Sequence, residues 1–162
     1  MEPRLDLTKE YGLVLEGGGA KGAYQIGAWK ALKEAGVKIK GVSGTSVGAL
    51  NGALICMDDL ERAENLWANI SYSQIINVDD ELMGRLFDKS QMKPEFLRET
   101  LKEIFRMLGE GGMDITPLRR LIEENIDEDL IRKSPVEFYS CTYSLTDRKE
   151  LNVDMKTVPE GQ

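Results

Sequence analysis

Residues 12–57 read GLVLEGGGAKGAYQIGAWKALKEAGVKIKGVSGTSVGALNGALICM, and the punctuation of this stretch decides the fold. The apolar run at 12–16 meets three consecutive glycines, the pattern of a buried strand that stops in a tight turn. Across residues 21–35, Tyr24, Ala28, Ala31, Leu32 and Ala35 fall at helical spacing, and Gly36 is placed to end that helix in the left-handed region. Residues 38–43 (KIKGVS) are strand-like again, and residues 47–57 are apolar on nearly every face, which predicts an enclosed helix. A strand, a helix and a second strand within about 30 residues is the right-handed crossover unit of a parallel sheet. The expected class is α/β, a sandwich with a mainly parallel sheet.

Working outward, residues 60–70 continue helical, with Leu60, Ala63, Leu66, Trp67 and Ile70 on one face. Residues 77–94 have no clear period. Residues 95–108 place Phe96, Leu97, Leu101, Ile104, Phe105 and Leu108 on a helical stripe that Gly109, Gly111 and Gly112 terminate. Thr116 and Pro117 read as an N-cap and first helical position, with Leu118, Leu121 and Ile122 as the buried face up to Asn125. Residues 136–143 (VEFYSCTY) are rich in aromatic and β-branched types, and 150–153 is suited to pair with them as a late strand. With 162 residues the chain is read as one domain, 1–162.

Composition removes several classes of function. Lys plus Arg total 21 against 28 Asp plus Glu, a net charge of −7, so the basic surplus that a nucleic-acid backbone demands is missing. There is no histidine at all, which excludes a Ser-His-Asp triad, a Cys-His pair and a His-ligated metal. Cys56 and Cys141 lack paired spacing and are expected to be reduced and buried. The first ten residues are polar, without the apolar run of a secretory signal, and no stretch reaches the roughly 18 apolar residues of a membrane span. A cytoplasmic protein is expected, with peripheral lipid contact left open.

Two glycine-rich motifs bear the chemistry. Gly17-Gly18-Gly19-Ala20-Lys21-Gly22 fits both a dinucleotide-binding turn and an anion-holding loop at a helix N-terminus, because consecutive N–H groups without a Cβ in the way can point into one concavity. The plain alternative is a tight turn with no ligand. A dinucleotide site also needs an acid closing the second strand, and here that strand ends in Ser43-Gly44, with Glu34 in the preceding helix. The dinucleotide-binding module is therefore the runner-up.

Gly44-Thr45-Ser46-Val47-Gly48 is a G-x-S-x-G between a strand and an apolar helix, the context of a nucleophile elbow. Small residues on both sides allow a sharp turn that exposes Ser46 Oγ at a helix N-terminus, where the dipole favours an oxyanion. The plain alternative is Ser46 as an ordinary N-cap. Both loops leave the carboxyl ends of strands joined by one crossover, so they open on the same edge of the sheet. N–H groups of Gly18 and Gly19 can then receive the oxyanion formed when Ser46 attacks an ester, a geometry for acyl transfer.

The pair GGGAKG and GTSVG, separated by a helix and a strand, resembles the patatin-like phospholipases, closely over residues 11–57; DITPLRRLIEENID at 114–127 is similar to a less distinctive part of that family. The resemblance implies a three-layer α/β/α fold and a serine lipid acyl hydrolase working through a Ser–Asp dyad, with no cofactor and no metal. It makes Ser46 the nucleophile, Gly17 to Gly19 with Ala20, Lys21 and Gly22 the oxyanion-hole loop, and Gly44, Thr45, Val47 and Gly48 the elbow. Lys21 is suited to a phosphate-bearing head group, or is simply a solvated lysine at a helix start. The family's aspartate comes in Asp-Gly-Gly or Asp-Gly-Ala, and no Asp-Gly pair occurs here; Asp147 and Asp154 are late acids in stretches that read as surface turns.

The expectation is a chain that stops short of the domain's end, inactive alone, with uncovered apolar sheet surface prone to self-association. A catalytically inactive interaction domain is a further alternative. Met83, Met92, Met107 and Met113 with Leu82, Leu86 and Phe87 suit a lipid-touching lid or, more commonly, core packing.

Overall fold

The computed structural model describes residues 5–75, 114–144 and 146–159. The lid reading of residues 77–112 and the helix expected at 95–108 lie outside them. The chain divides into two compact units, Met1–Ala68 with Ile126–Gln162, and Asn69–Asn125.

The first unit opens with β1 (Glu10–Leu15), a 3-10 turn (Gly19–Lys21), α1 (Gly22–Glu34), β2 (Lys38–Gly44), α2 (Val47–Met57) and all but the last residue of α3 (Leu60–Asn69). After residue 126 it continues with α5 (Glu128–Lys133), β3 (Glu137–Ser144) and β4 (Lys149–Asp154). The strands form one sheet in the order β1-β2-β3-β4. β1, β2 and β3 run parallel, and β4 returns antiparallel on β3 with Cys141 opposite Asn152. The mainly parallel α/β sheet flanked by helices is the class expected, and the late hairpin pairs as its composition suggests.

Leu13, Val42 and Phe138 stand side by side in register across three strands, and α2 packs on β1, β2 and β3. Gly52 lets the helix come that close: a Cβ there would lie 2.6 Å from Phe138 Cε2 and 3.1 Å from Val42 Cγ1. Ala53, Cys56 and Met57 meet Ile131 of α5 and Phe138 in one core cluster, edged by Ile126, Val136 and Met155. Leu54 and Ile55 are also buried, so the apolar-all-round sequence of α2 has the surroundings it needs. Full burial of a side chain such as Phe138 contributes about 2–3 kcal/mol. Val14, which alternation turns to the other side of β1, is 87 % exposed.

α1 corrects one expectation. Its buried residues are Gly22, Ile26 and Trp29, whereas Tyr24 is 81 % exposed and Ala31 and Ala35 face solvent. Both rows have helical spacing, and the one holding Ile26 and Trp29 offers more apolar area to bury than a row made largely of alanine. The helix ends as expected: Gly36 has φ +76°, its N–H bonds the Lys33 carbonyl, and Val37 N–H reaches back to Leu32, a complete Schellman motif. In α3, Ala63 and Leu66 are buried as the spacing requires, and the Asp59 carboxylate accepts from Arg62 N–H at its start.

The cysteines divide. Burial pushes the Cys56 thiol up to about 11, which makes it an inert packing group. Cys141 is only half-buried, correcting the expectation of two buried thiols; it lies 3.3 Å from Ser43 Oγ and donates to Asn152 Oδ1. Alternation places it on the sheet side opposite Phe138, away from the core cluster.

In the second unit, α4 (Thr116–Asn125) packs on a 3-10 turn at Tyr72–Gln74. Asp114, rather than Thr116, supplies the side-chain cap, its carboxylate accepting Thr116 N–H at 2.9 Å. Sequence alone cannot separate two polar residues two positions apart as caps.

Candidate active site

The second glycine motif builds a strained turn. β2 ends at Gly44, Thr45 N–H donates to the Leu15 carbonyl of β1 at 3.1 Å, and α2 begins at Val47. Between them Ser46 has φ 54° and ψ −122°, a conformation costing a non-glycine residue about 1–3 kcal/mol. Its carbonyl already accepts from Ala49 and Leu50, so it occupies the N-cap position of α2, yet its hydroxyl makes no capping bond. The ordinary N-cap alternative therefore fails, because a cap serine has extended backbone and spends its oxygen on the N2 or N3 amide. Among the described residues no hydrogen bond engages Ser46 Oγ, and the residue is exposed.

The turn exists because its flanks carry no side chain. A Cβ on Gly44 would stand 2.2 Å from the Gly48 carbonyl oxygen, and one on Gly48 would stand 2.2 Å from the Leu15 carbonyl oxygen. Gly48 thus seats the first turn of α2 on the end of β1, and the seat aims Ser46 toward the loop that follows β1.

That loop turns through Gly18 and Gly19 and enters the 3-10 turn, with Gly19 at φ +55°, left-handed backbone that favours glycine. Lys21 N–H closes the turn on the Gly18 carbonyl at 3.2 Å, and the Lys21 side chain folds back along Gly18. Gly17 faces the serine: a Cβ there would lie 3.3 Å from Ser46 Cβ and 3.4 Å from the Thr45 carbonyl oxygen. At the loop's far end Gly22 is covered by the Trp67 indole and by Val47, the residue after Ser46. Leu15 and Gly44 are register partners, so the two loops do leave one edge of the sheet. Neither α1 nor α2 has an acidic residue in its first turn, leaving both helix N-termini positive toward this edge.

Gly17→Ala should cost about 1 kcal/mol of stability, since the neighbour has only a few tenths of an ångström to yield. Ester turnover by the full-length polypeptide should fall by tenfold or more, about the effect of displacing reacting groups by under an ångström. Parallel urea melts and initial rates check this.

Among the described residues no acid stands where a dinucleotide would need one: Ser43 pairs with Cys141, and Glu34 is exposed at the end of α1. Asp147 accepts from Ser144 Oγ and Asp154 from Lys156 N–H, so both late acids serve turns, as their context suggests. The described residues contain no group of three acidic or cysteine side chains able to hold a metal, and no helix among them is long and apolar enough to cross a membrane. What the motif reading missed is Asn51, which donates to the Gly22 carbonyl and to Gln25 Oε1 just after the glycine loop; the available signal was a lone polar amide inside an otherwise apolar helix.

The Patatin-like phospholipase family model matches residues 13–158, from β1 through both glycine motifs to the turn after β4. The chain belongs to that family. Among curated relatives of this patatin-like chain, a lysophospholipase nte1 of Aspergillus terreus is 56 % identical over 50 residues, 31 % of this chain and 3 % of the relative. A neuropathy target esterase sws of Drosophila sechellia is 60 % identical over 47 residues, 29 % of this chain and 3 % of that protein. The matches thus span a small fraction of these relatives' length. The crystal structure of VipD from Legionella pneumophila superposes with a TM-score of 0.52 at 16 % identity, covering 92 % of this chain and 40 % of that one, which supports the fold.

Proposed function

We propose that Ser46 is the nucleophile of a lipid acyl hydrolase and that the backbone N–H groups of Gly17 to Gly19 form its oxyanion hole. The observation that supports this most is Ser46 itself, held at φ 54° with an uncapped hydroxyl where a Cβ on Gly17 would crowd it at 3.3 Å from Ser46 Cβ. Ser46 Oγ attacks the ester carbonyl carbon as its proton passes to a carboxylate base. The C–O bond to the alcohol breaks, and that alcohol leaves with the proton. Water, deprotonated by the same base, then releases the fatty acid from Ser46. Each amide donor aimed at the developing oxyanion is worth about 3 kcal/mol.

The base is an aspartate in an Asp-Gly pair beyond these 162 residues, since the sequence contains no such pair and no histidine. The substrate is a monoacyl glycerophospholipid, the class named by the relative called lysophospholipase. Contact with lipid is peripheral and from the cytoplasmic side, with exposed Lys21 and Tyr24 beside the glycine loop.

The test is acid quenching of the full-length polypeptide during turnover of palmitoyl-lysophosphatidylcholine, followed by peptide mass analysis. An acyl group on the Ser46 peptide is expected. Fatty-acid release with the acyl group on another residue would overturn the assignment, and absence of release would overturn the substrate class.

A further inference from the structure

Asn51 lies in the middle of α2, fully buried at 0 % exposure, and every polar atom of its amide is engaged. Nδ2 donates to the Gly22 carbonyl at 3.0 Å and to Gln25 Oε1 at 2.8 Å, and Oδ1 accepts from the Trp67 indole at 2.8 Å. Gln25 then uses its own amide Nε2 to donate to the Glu16 carbonyl at 2.8 Å. Glu16 immediately precedes the glycine loop and Gly22 ends it, so one chain of side-chain amides grips both ends of residues 17–21. The root of that chain is the helix whose N-cap is Ser46.

A peptide unit is planar and trans, so fixing the direction of a carbonyl fixes that of the N–H it shares the plane with. The Glu16 carbonyl is in one plane with Gly17 N–H. The bond from Gln25 therefore sets the direction of the first amide of the loop, and Asn51 sets Gln25. We propose that Asn51 and Gln25 are positioning residues, an amide staple that holds the oxyanion loop in register with the nucleophile. This rests on the hydrolase reading for its consequence, though not for its geometry. A buried amide with both donors used and its oxygen paired has one satisfied arrangement, which is what allows it to specify the loop rather than merely tolerate it.

The test uses the full-length polypeptide with Gln25→Leu, whose site is only half-buried, and Asn51→Leu. Amide hydrogen exchange within residues 17–22 should quicken by about tenfold or more in both, while exchange in β2 and β3 of Gln25→Leu is unchanged. Turnover per phosphonate-titrated serine should drop by about tenfold in Gln25→Leu with KM unaltered, a split that partial unfolding does not produce because titration counts only competent sites. Unchanged exchange at residues 17–22 in Gln25→Leu overturns the staple, whether or not Asn51→Leu folds. If the wild-type protein lacks turnover, the hydrolase reading falls and the exchange result still decides the staple.

Discussion

Ser46→Ala should take ester hydrolysis by the full-length polypeptide to background, a fall on the order of 10⁴-fold or more, because loss of a serine nucleophile leaves only binding and oxyanion stabilisation. KM is not expected to rescue the loss, since the hydroxyl contributes in the bond-forming step. Stability should barely change, as alanine endures the same backbone conformation. Ser46→Gly separates strain from chemistry: it should be equally inactive, yet more stable by about 1 kcal/mol, as glycine takes φ 54° without penalty. Fatty-acid release and urea melts of the three proteins measure both halves. Wild-type rates in Ser46→Ala would remove Ser46 from the mechanism, and equal melts for Ser46→Ala and Ser46→Gly would show that no strain is held there.

Gly48→Ala is the second large effect, and it acts on the fold. The added carbon would sit 2.2 Å from the Leu15 carbonyl oxygen and 2.9 Å from that of Glu16, and both are backbone. Neither side can rotate away, so α2 must lift from β1 or β1 must bend. A loss above about 3 kcal/mol is expected, at the upper end for overpacking and a large part of the stability of a small domain. Gly27→Ala is the matched control: a Cβ there meets nothing within 4 Å, and an exposed helical glycine exchanged for alanine should gain about 0.5–1 kcal/mol. Chemical denaturation of the two variants should move in opposite directions. A Gly48→Ala protein that melts with the wild type would mean the elbow is not seated on β1.

The sequence made β1, β2 and α2 legible because each is short, uniformly apolar and bounded by glycine, so local rules sufficed. Ser46 and its flanking glycines were legible for the same reason, since the turn is a property of consecutive residues. The register of α1 was not: Tyr24, Ala28 and Ala31 form as regular a row as Ile26 and Trp29, and only the neighbouring helix decides which is buried. The bonds of Asn51 were invisible because Gly22, Gln25 and Trp67 stand 29, 26 and 16 positions from it and meet it only after folding. The half-burial of Cys141 likewise depends on which side of β3 the helices cover. No acid could be paired with Ser46 from the sequence for a different reason, namely that neither late aspartate has the glycine neighbour of the family motif.

The Thr45 amide on the Leu15 carbonyl and the seat of Gly48 against that same strand end are main-chain contacts, indifferent to what most surrounding side chains are. Selection can accordingly rewrite the side chains around Ser46 without disturbing the placement of its hydroxyl. Such decoupling gives a lineage room to vary what surrounds that hydroxyl in small steps, each passing through a protein that still folds.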